Sequence, residues 1–221
     1  MAPHRSRPRP RSPGCERPAC PERGGSARSQ LAFVSLGSNL GDREARLRRA
    51  LQALRSTPGI GRVDVSRIYE TDPVGPLPQG PYLNAVAEIE TGLEPRALLE
   101  RLLEIEAEEG RIRRGVRGEA RTLDLDLLLF ADCCIDEDVL TLPHPRMHER
   151  GFVLEPLCDL APQWVHPRSG KTIAELAARL RDPAAVRPWR GAGADQDSVS
   201  DSSNAGKRTE AVQRPGPVDL A

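Results

Sequence analysis

Two aspartates, Asp124 and Asp126, alternate with leucines in the segment 123–130. This alternation predicts a β-strand, because successive side chains of a strand point to opposite faces. The two carboxylates then share one face with Cα atoms about 6.5–7 Å apart, close enough to bind a pair of Mg²⁺ ions about 3.5–4 Å apart, as in phosphoryl-transfer sites. The alternative is that both aspartates face water on an edge strand. The other face, which we expect to point into the main core, carries Leu123, Leu125, Leu127 and Leu129.

The segment 110–121, just before this strand, contains five arginines and three glycines. Guanidinium groups present a planar fork of donors that suits phosphate oxygens, and glycines give a loop backbone freedom. A cationic loop that leads into two carboxylates indicates a nucleotide polyphosphate site, with metal ions on one side of the phosphates and arginines on the other. The alternative is a solvated basic loop that pairs with the acidic segment 100–109.

Composition excludes several classes of protein. The chain of 221 residues has 32 basic and 32 acidic side chains and only 3% aromatics, which argues against a nucleic-acid-binding surface. No run of apolar residues is long enough for a transmembrane helix. The five cysteines show no C-x-x-C spacing, so we expect a reduced, cytoplasmic protein without a structural metal.

The chain divides into a folded unit at 30–182 and two polar tails, 1–29 and 183–221, which we expect to be disordered. Within the unit, hydrophobic periodicity predicts strands and helices in the order β-α-β-β-α-β. This order is typical of an α+β, ferredoxin-like α/β sandwich with a mainly antiparallel sheet, here with extra C-terminal helices. The predicted strands are 31–37, 63–69, 82–91 and 123–130, and the predicted helices are one after Asp42, 95–110, one after Arg146, and 172–180.

Other side chains could complete a site. His144 lies between two prolines, which suits a positioned donor to phosphate, although a solvated histidine at a helix-entry turn is the simpler alternative. Arg150 could add charge to the same groove. Tyr82 and Asn84 are two residues apart on a predicted strand and therefore share a face, where they could stack on and hydrogen-bond a flat heterocycle; a tyrosine at a sheet surface is the simpler alternative. Phe152 is more often a core residue than a stacking one.

Four segments, taken in order, resemble one enzyme family. They are LGSNLGD at 36–42, YETDPVG at 69–75 with YLNA at 82–85, RTLDLD at 121–126, and the stretch 143–154 that begins PHP and ends RGFVL. Over about residues 31–180 the chain is similar to the 6-hydroxymethyl-7,8-dihydropterin pyrophosphokinases of folate biosynthesis. The resemblance implies transfer of a diphosphate from ATP to the pterin hydroxymethyl group, with release of AMP.

The resemblance also implies roles for individual residues. Asp124 and Asp126 would hold two Mg²⁺ ions and act in catalysis with Arg111 and Arg121. The residues that would bind the pterin are Thr71, Val74, Tyr82, Asn84 and Phe152, and those that would bind ATP are Glu106, Arg113, His144 and Arg150. We expect a monomeric enzyme whose partners are its two small-molecule substrates, with no nucleic acid and no membrane.

One departure from the family's pattern lies in the basic loop. Family members often have Trp-Gly-Pro-Arg where this chain has Gly118-Glu119-Ala120-Arg121. The missing tryptophan and the added negative charge predict weaker loop closure or slower turnover rather than another reaction. Three other possibilities stay open at this point: a nucleotidyltransferase with the same Asp-x-Asp pair, a non-enzymatic RNA-binding module of ferredoxin-like fold, and an inactive relative.

Overall fold

The fold is built on a six-stranded sheet, in a computed structural model that describes residues 29–73, 78–111, 120–180 and 186–191. The strands of this sheet are β1 (Gln30–Ser38), β2 (Ile60–Val65), β3 (Tyr69–Thr71), β4 (Tyr82–Thr91), β5 (Asp124–Phe130) and β8 (Val186–Pro188), and a separate hairpin consists of β6 (Ile135–Asp136) and β7 (Thr141–Leu142). The helices are α1 (Arg43–Arg55), α2 (Pro95–Glu108), α3 (Gly151–Leu160) and α4 (Ile173–Ala177), with a 3₁₀ turn at Met147–Glu149.

The strand order is β5-β1-β4-β3-β8, and β2 pairs with the part of β4 that β3 leaves unpaired. Every pair in the sheet is antiparallel. The predicted α+β, ferredoxin-like fold with a mainly antiparallel sheet is therefore confirmed, and the β-α-β-β-α-β order holds with the second predicted strand divided into β2 and β3.

The sheet buries side chains on both faces. On one face, α1 and α2 contribute Leu47 and Leu98 to a core that includes Val34 of β1. On the other face, α3 and α4 contribute Leu154 and Ile173 to a second core. The extra C-terminal helices thus cover the face that the first two helices leave open.

Local sequence sets where the helices begin. The helix predicted after Asp42 is α1, and the Asp42 side chain caps it by accepting a hydrogen bond from the Ala45 N–H at 3.0 Å. Pro95 occupies the first turn of α2, where its missing N–H has no partner to lose. Leu98, Leu102 and Ile105 form the buried face of α2, whereas Leu103 is 39% exposed.

A β-bulge changes the prediction for β5. Val34 of β1 pairs with Leu127 and Phe33 pairs with Leu129, so Leu128 is an extra residue on β5. Up to Leu127 the leucines point into the α1/α2 core as expected, but Leu129 joins the α3/α4 core. The expectation for Leu129 was wrong because an inserted residue inverts the alternation.

The predicted strand at 63–69 is in fact two strands. Ser66 interrupts it, because its Oγ accepts from the Val86 N–H at 3.0 Å while its own N–H donates to the Val86 carbonyl at 2.9 Å. A side chain that substitutes for a backbone acceptor breaks the ladder locally. The chain then re-enters the sheet as β3, nearer the site.

The C-terminal boundary also needs a correction. Strand β8 pairs with β3, with Val186 opposite Thr71 and Pro188 opposite Tyr69, and the compact unit extends to Trp189. The prediction of a disordered tail from residue 183 is therefore wrong for 186–189. A short polar segment gives no period from which to predict such long-range pairing. Residues 1–28 and 192–221 lie outside the described part of the chain.

Two expectations concern compartment. Cys133 and Cys134, expected to be reduced, are disulfide-bonded in the structure, whereas Cys158 is a free thiol. Within the four described ranges, no helix has the length and apolar character needed to cross a membrane.

His166 makes the stability of the fold depend on pH. Its side chain is buried, and burial lowers its pKa, as it does for His144. The unfolded chain then binds protons that the folded chain does not, so stability is complete above the unfolded pKa of about 6.5 and falls below it, by up to about 1.4 kcal/mol per pH unit for each histidine. We expect urea unfolding to show this loss between pH 7.5 and 5.5, and His166→Gln to remove about half of it. An unchanged slope in that variant would contradict the assignment.

Candidate active site

The base of the site is a row of three residues across the sheet. Gly37 of β1 lies opposite Asp124 of β5 on one side and opposite Asn84 of β4 on the other. Neighbouring strands are about 4.8 Å apart, so the Cα atoms of Asp124 and Asn84 are about 10 Å apart. A Cβ at position 37 would lie 3.3 Å from Asn84 Oδ1 and 3.8 Å from Asp124 Cβ. Glycine at position 37 therefore leaves the space between the Asp124 and Asn84 side chains unfilled, and we call this position the floor of the site.

The two aspartates lie on one face of β5 and are paired with arginines. Asp124 accepts from Arg111 Nη1 at 2.6 Å and also from Arg121 Nη1. Asp126 accepts from Arg150 Nη1 at 3.3 Å. The side chains of Asp124 and Asp126 are 22% and 33% exposed. β5 is an edge strand, which agrees with part of the alternative that both aspartates face water on an edge strand. Its two carboxylates nevertheless contact guanidinium groups.

Glu106 supports this pair from within the protein. Its side chain, 2% exposed, accepts from the Leu125 N–H at 2.8 Å and from Arg111 Nη1. One buried carboxylate thus fixes both the backbone of β5 between the aspartates and the arginine that reaches Asp124. The family resemblance predicts that Glu106 binds ATP. In the structure the Glu106 side chain is buried and contacts Arg111 and the Leu125 N–H.

The amide end of the row contains the residues expected to bind a flat heterocycle. Asn84 Nδ2 donates to Thr71 Oγ1 at 2.8 Å, and both residues are 5% exposed. Tyr82, next to them on β4, donates its hydroxyl to Gln79 Oε1 at 3.0 Å. Burial raises the pKa of Tyr82, so its hydroxyl stays protonated at neutral pH. Phe152 lies in the first turn of α3, with the guanidinium of Arg150 5.6 Å from the centre of its ring.

His144 is held close to the carboxylate end. Its backbone N–H donates to the Leu128 carbonyl at 2.8 Å, and its Nδ1 accepts from the Arg146 N–H at 3.2 Å. Burial is the main reason that the pKa of His144 is lowered; the nearby charges of Asp126 and Arg150 act in opposite directions. The ring is therefore neutral at pH 7. Because Nδ1 accepts a hydrogen bond, the proton is on Nε2, and this N–H can donate a hydrogen bond to an anionic oxygen.

Asn39 is a site residue that the sequence did not reveal. Its Oδ1 accepts from the Arg121 N–H at 2.7 Å, and its Nδ2 donates to Gln79 Oε1 at 3.0 Å. Ser38 Oγ donates to the Thr122 carbonyl at 2.6 Å. The segment 37–41 was assigned no role in the site, yet it joins the arginine end of the site to the tyrosine end. Consecutive polar residues directly after a buried strand were the available signal.

The oxygen ligands on β5 suit magnesium. Mg²⁺ is usually bound through one or two carboxylates together with substrate phosphates and water, and Asp124 and Asp126 supply two partly exposed carboxylates. Nowhere in the described residues, this site included, is a group of three or more His, Cys, Asp or Glu side chains arranged to hold a metal ion without further ligands. The site therefore fits a cation that arrives with a phosphate chain.

We call the surface across β5, β1 and β4 the groove. Most of the predicted site residues lie on these strands or contact residues that do. Two of them, Val74 and Arg113, lie outside the described residues, as do Gly118 and Glu119 of the altered loop.

Fold and site together define a phosphate-handling enzyme on an α+β sandwich. A family model described as 7,8-dihydro-6-hydroxymethylpterin-pyrophosphokinase matches residues 33–162. The chain therefore belongs to this family, and the enzyme class predicted from the sequence, ATP-dependent transfer of diphosphate to hydroxymethyldihydropterin in folate biosynthesis, is confirmed.

Individual relatives agree with this assignment. A 2-amino-4-hydroxy-6-hydroxymethyldihydropteridine pyrophosphokinase of Bacillus subtilis is 43% identical over 162 residues, which are 73% of this chain and 92% of that protein. The folic acid synthesis protein fol1 of Schizosaccharomyces pombe is 41% identical over 70% of this chain, which spans only 21% of that protein. Among solved structures, wild-type HPPK-DHPS of Plasmodium falciparum has a TM-score of 0.54 at 15% identity, covering 68% of this chain and 44% of that one. That likeness supports the ferredoxin-like fold alone.

Proposed function

We propose that this groove is where the chain transfers diphosphate from ATP to 6-hydroxymethyl-7,8-dihydropterin. The observation that carries the proposal is the row of Asp124, Gly37 and Asn84. It sets a carboxylate and arginine end about 10 Å from an amide and tyrosine end, with an open floor between them. A pterin at Asn84 would then extend its hydroxymethyl group toward phosphates held at Asp124.

At the phosphate end, Arg111, Arg121 and Arg150 present guanidinium groups toward the two aspartates. We assign these arginines and His144 to the ATP phosphates, because charge-assisted hydrogen bonds from guanidinium groups and a neutral imidazole donor suit their oxygens. Magnesium, when bound by Asp124 and Asp126, would supply charge that polarises the phosphates.

At the pterin end, Asn84 would read the edge of the heterocycle while Thr71 orients the amide. Tyr82 and Phe152 supply the aromatic faces. Their aromatic character and their places beside the groove, at the start of β4 and the first turn of α3, support this role.

The reaction needs the substrate hydroxyl to attack the β-phosphorus of ATP in line as AMP leaves. No covalent intermediate with the protein is involved, so the protein contributes by positioning and by electrostatic stabilisation. Arg121 is tied to Asn39 through its backbone and to Asp124 through its side chain. We assign it to the charge that develops on the transferring group.

Further features of the enzyme belong to the same proposal. We propose two Mg²⁺ ions, supported by two carboxylates on one strand face, and roles for Val74 at the pterin and Arg113 at ATP, supported by the family resemblance. A monomer and a cytoplasmic location are part of the same proposal.

The deciding experiment incubates the full chain with ATP, Mg²⁺ and hydroxymethyldihydropterin and identifies the products. AMP and the pterin diphosphate are expected. Release of free pyrophosphate would indicate a nucleotidyltransferase instead, and no product from folded protein would indicate an inactive relative.

Filling the floor should weaken binding of the pterin. Gly37→Ala places a methyl group 3.3 Å from Asn84 Oδ1, so we expect a pterin KM about tenfold higher at an ATP KM within twofold of wild type. Gly92→Ala is the control, because its new methyl group would lie no closer than 4.0 Å to its neighbours. Equal pterin KM values for both variants would show that the floor does not form part of the pterin site.

A further inference from the structure

Arg43, the first residue of α1, connects the two strands that carry the pterin-binding residues. Its Nη1 donates to Glu70 Oε1 at 2.8 Å and to the Pro81 carbonyl at 2.9 Å. Glu70 belongs to β3 and Pro81 immediately precedes β4. Arg43 Nη1 therefore connects β3 to the residue that precedes β4.

These two contacts flank residues of the proposed pterin site. Glu70 precedes Thr71 in the chain, Pro81 precedes Tyr82, and Thr71 and Tyr82 lie opposite each other in the β3–β4 pair. That pair comprises only three residues of each strand, so few backbone hydrogen bonds fix it. A charge-assisted bridge at its end limits how far the two strands can separate.

A second element holds Arg43 itself. The guanidinium carbon lies 5.2 Å from the ring centre of Trp189, a distance that suits a cation–π contact. Trp189 is fixed in turn, because its backbone N–H donates to the Ile68 carbonyl at 2.8 Å and its Nε1 donates to Glu44 Oε2 at 3.1 Å. The Arg43 side chain is 20% exposed, so it is enclosed rather than free on the helix surface.

We propose that Arg43, oriented by Trp189, is a positioning residue for the pterin side of the site. It touches no reacting atom. It holds Thr71 and Tyr82 in register, and through the bond from Asn84 to Thr71 it keeps the amide aligned. The inference rests on the proposed function, and it separates the two substrates, because the phosphate end of the groove has its own support in the buried Glu106 of α2.

The test compares Arg43→Met with Arg43→Lys and with the control Arg55→Met, which removes an exposed arginine from the other end of the same helix. For each full-length variant we would measure the KM for hydroxymethyldihydropterin, the KM for ATP, kcat and Tm. Arg43→Met is expected to raise the pterin KM about tenfold with the ATP KM within twofold of wild type. Arg43→Lys keeps the charge and should restore part of the loss, and Arg55→Met should match wild type.

Two results would overturn the proposal. One is an unchanged pterin KM in Arg43→Met. The other is a loss of affinity for both substrates that tracks the loss of Tm, since that would show a structural role only. Trp189→Leu provides a second approach, because it removes the ring but leaves both hydrogen bonds of Arg43, and it should raise the pterin KM in the same direction. If wild-type protein formed no AMP, the proposed function would fail instead, and that failure is distinct from either result.

Discussion

Replacing Asp124 or Asp126 by alanine should slow diphosphate transfer about a thousandfold. Both carboxylates lie on one face of β5 at the arginine end of the groove, where we place the magnesium and the phosphates. Metal charge contributes several kcal/mol to transition states of this kind, and about 4 kcal/mol corresponds to a factor of a thousand. The measurement is AMP formation in single turnovers at saturating ATP, Mg²⁺ and pterin.

Folding has to be separated from chemistry in these variants. Asp124→Ala leaves Arg111 and Arg121 without their shared acceptor, so Tm should be measured alongside the rate. Asp138→Ala, at an exposed position before β7, removes the same charge away from the site and should keep the wild-type rate. Near-normal turnover in both Asp124→Ala and Asp126→Ala would show that the magnesium site is elsewhere.

Glu106→Ala should destabilise the folded protein by about 3 kcal/mol, since removing one partner of a buried ion pair leaves the other charge uncompensated. Here it also removes the acceptor of the Leu125 N–H, a buried donor in the strand that carries both aspartates. Urea unfolding at pH 7.5 measures the change in the free energy of unfolding.

The matched control is Glu104→Ala, two residues earlier on the same helix. The Glu104 side chain is 64% exposed and pairs with Arg101, so its loss should change stability by less than about 1 kcal/mol. Equal losses in the two variants would mean that the buried carboxylate does not hold β5 in place. Glu106→Gln, which keeps an acceptor for the Leu125 N–H, should recover part of the stability.

Elements with a strong local pattern were predictable from the sequence. The strand 82–91 agrees with β4 at both ends, and α1 begins directly after Asp42 as expected. Alternation placed Asp124 and Asp126 on one face of β5 because that relation depends only on the pleat of a strand. The order of the predicted strands and helices was then enough to predict the ferredoxin-like α/β sandwich.

Features that depend on distant partners were not predictable. The bulge at Leu128 depends on how β5 pairs with β1. Strand β8 depends on its pairing with β3, a strand more than 110 residues earlier in the chain. Nothing local marks Glu106 as a support for β5, since in sequence it is one of several glutamates on α2. The link from Asn39 to Arg121 joins residues 82 positions apart and emerges only once the sheet is assembled.

The internal pairing of the site has a consequence for how ATP approaches. Three arginines (Arg111, Arg121 and Arg150) are matched by three carboxylates (Glu106, Asp124 and Asp126), so these six side chains together produce almost no long-range electric field. Attraction of a polyanion from beyond a Debye length must therefore arise from other charges. Arg113, Arg114 and Arg117 of the adjoining sequence are the natural source. We therefore expect ionic strength to act on the rate of nucleotide capture through those arginines, and the balanced cluster, as the proposed phosphate site, to set how long the nucleotide stays.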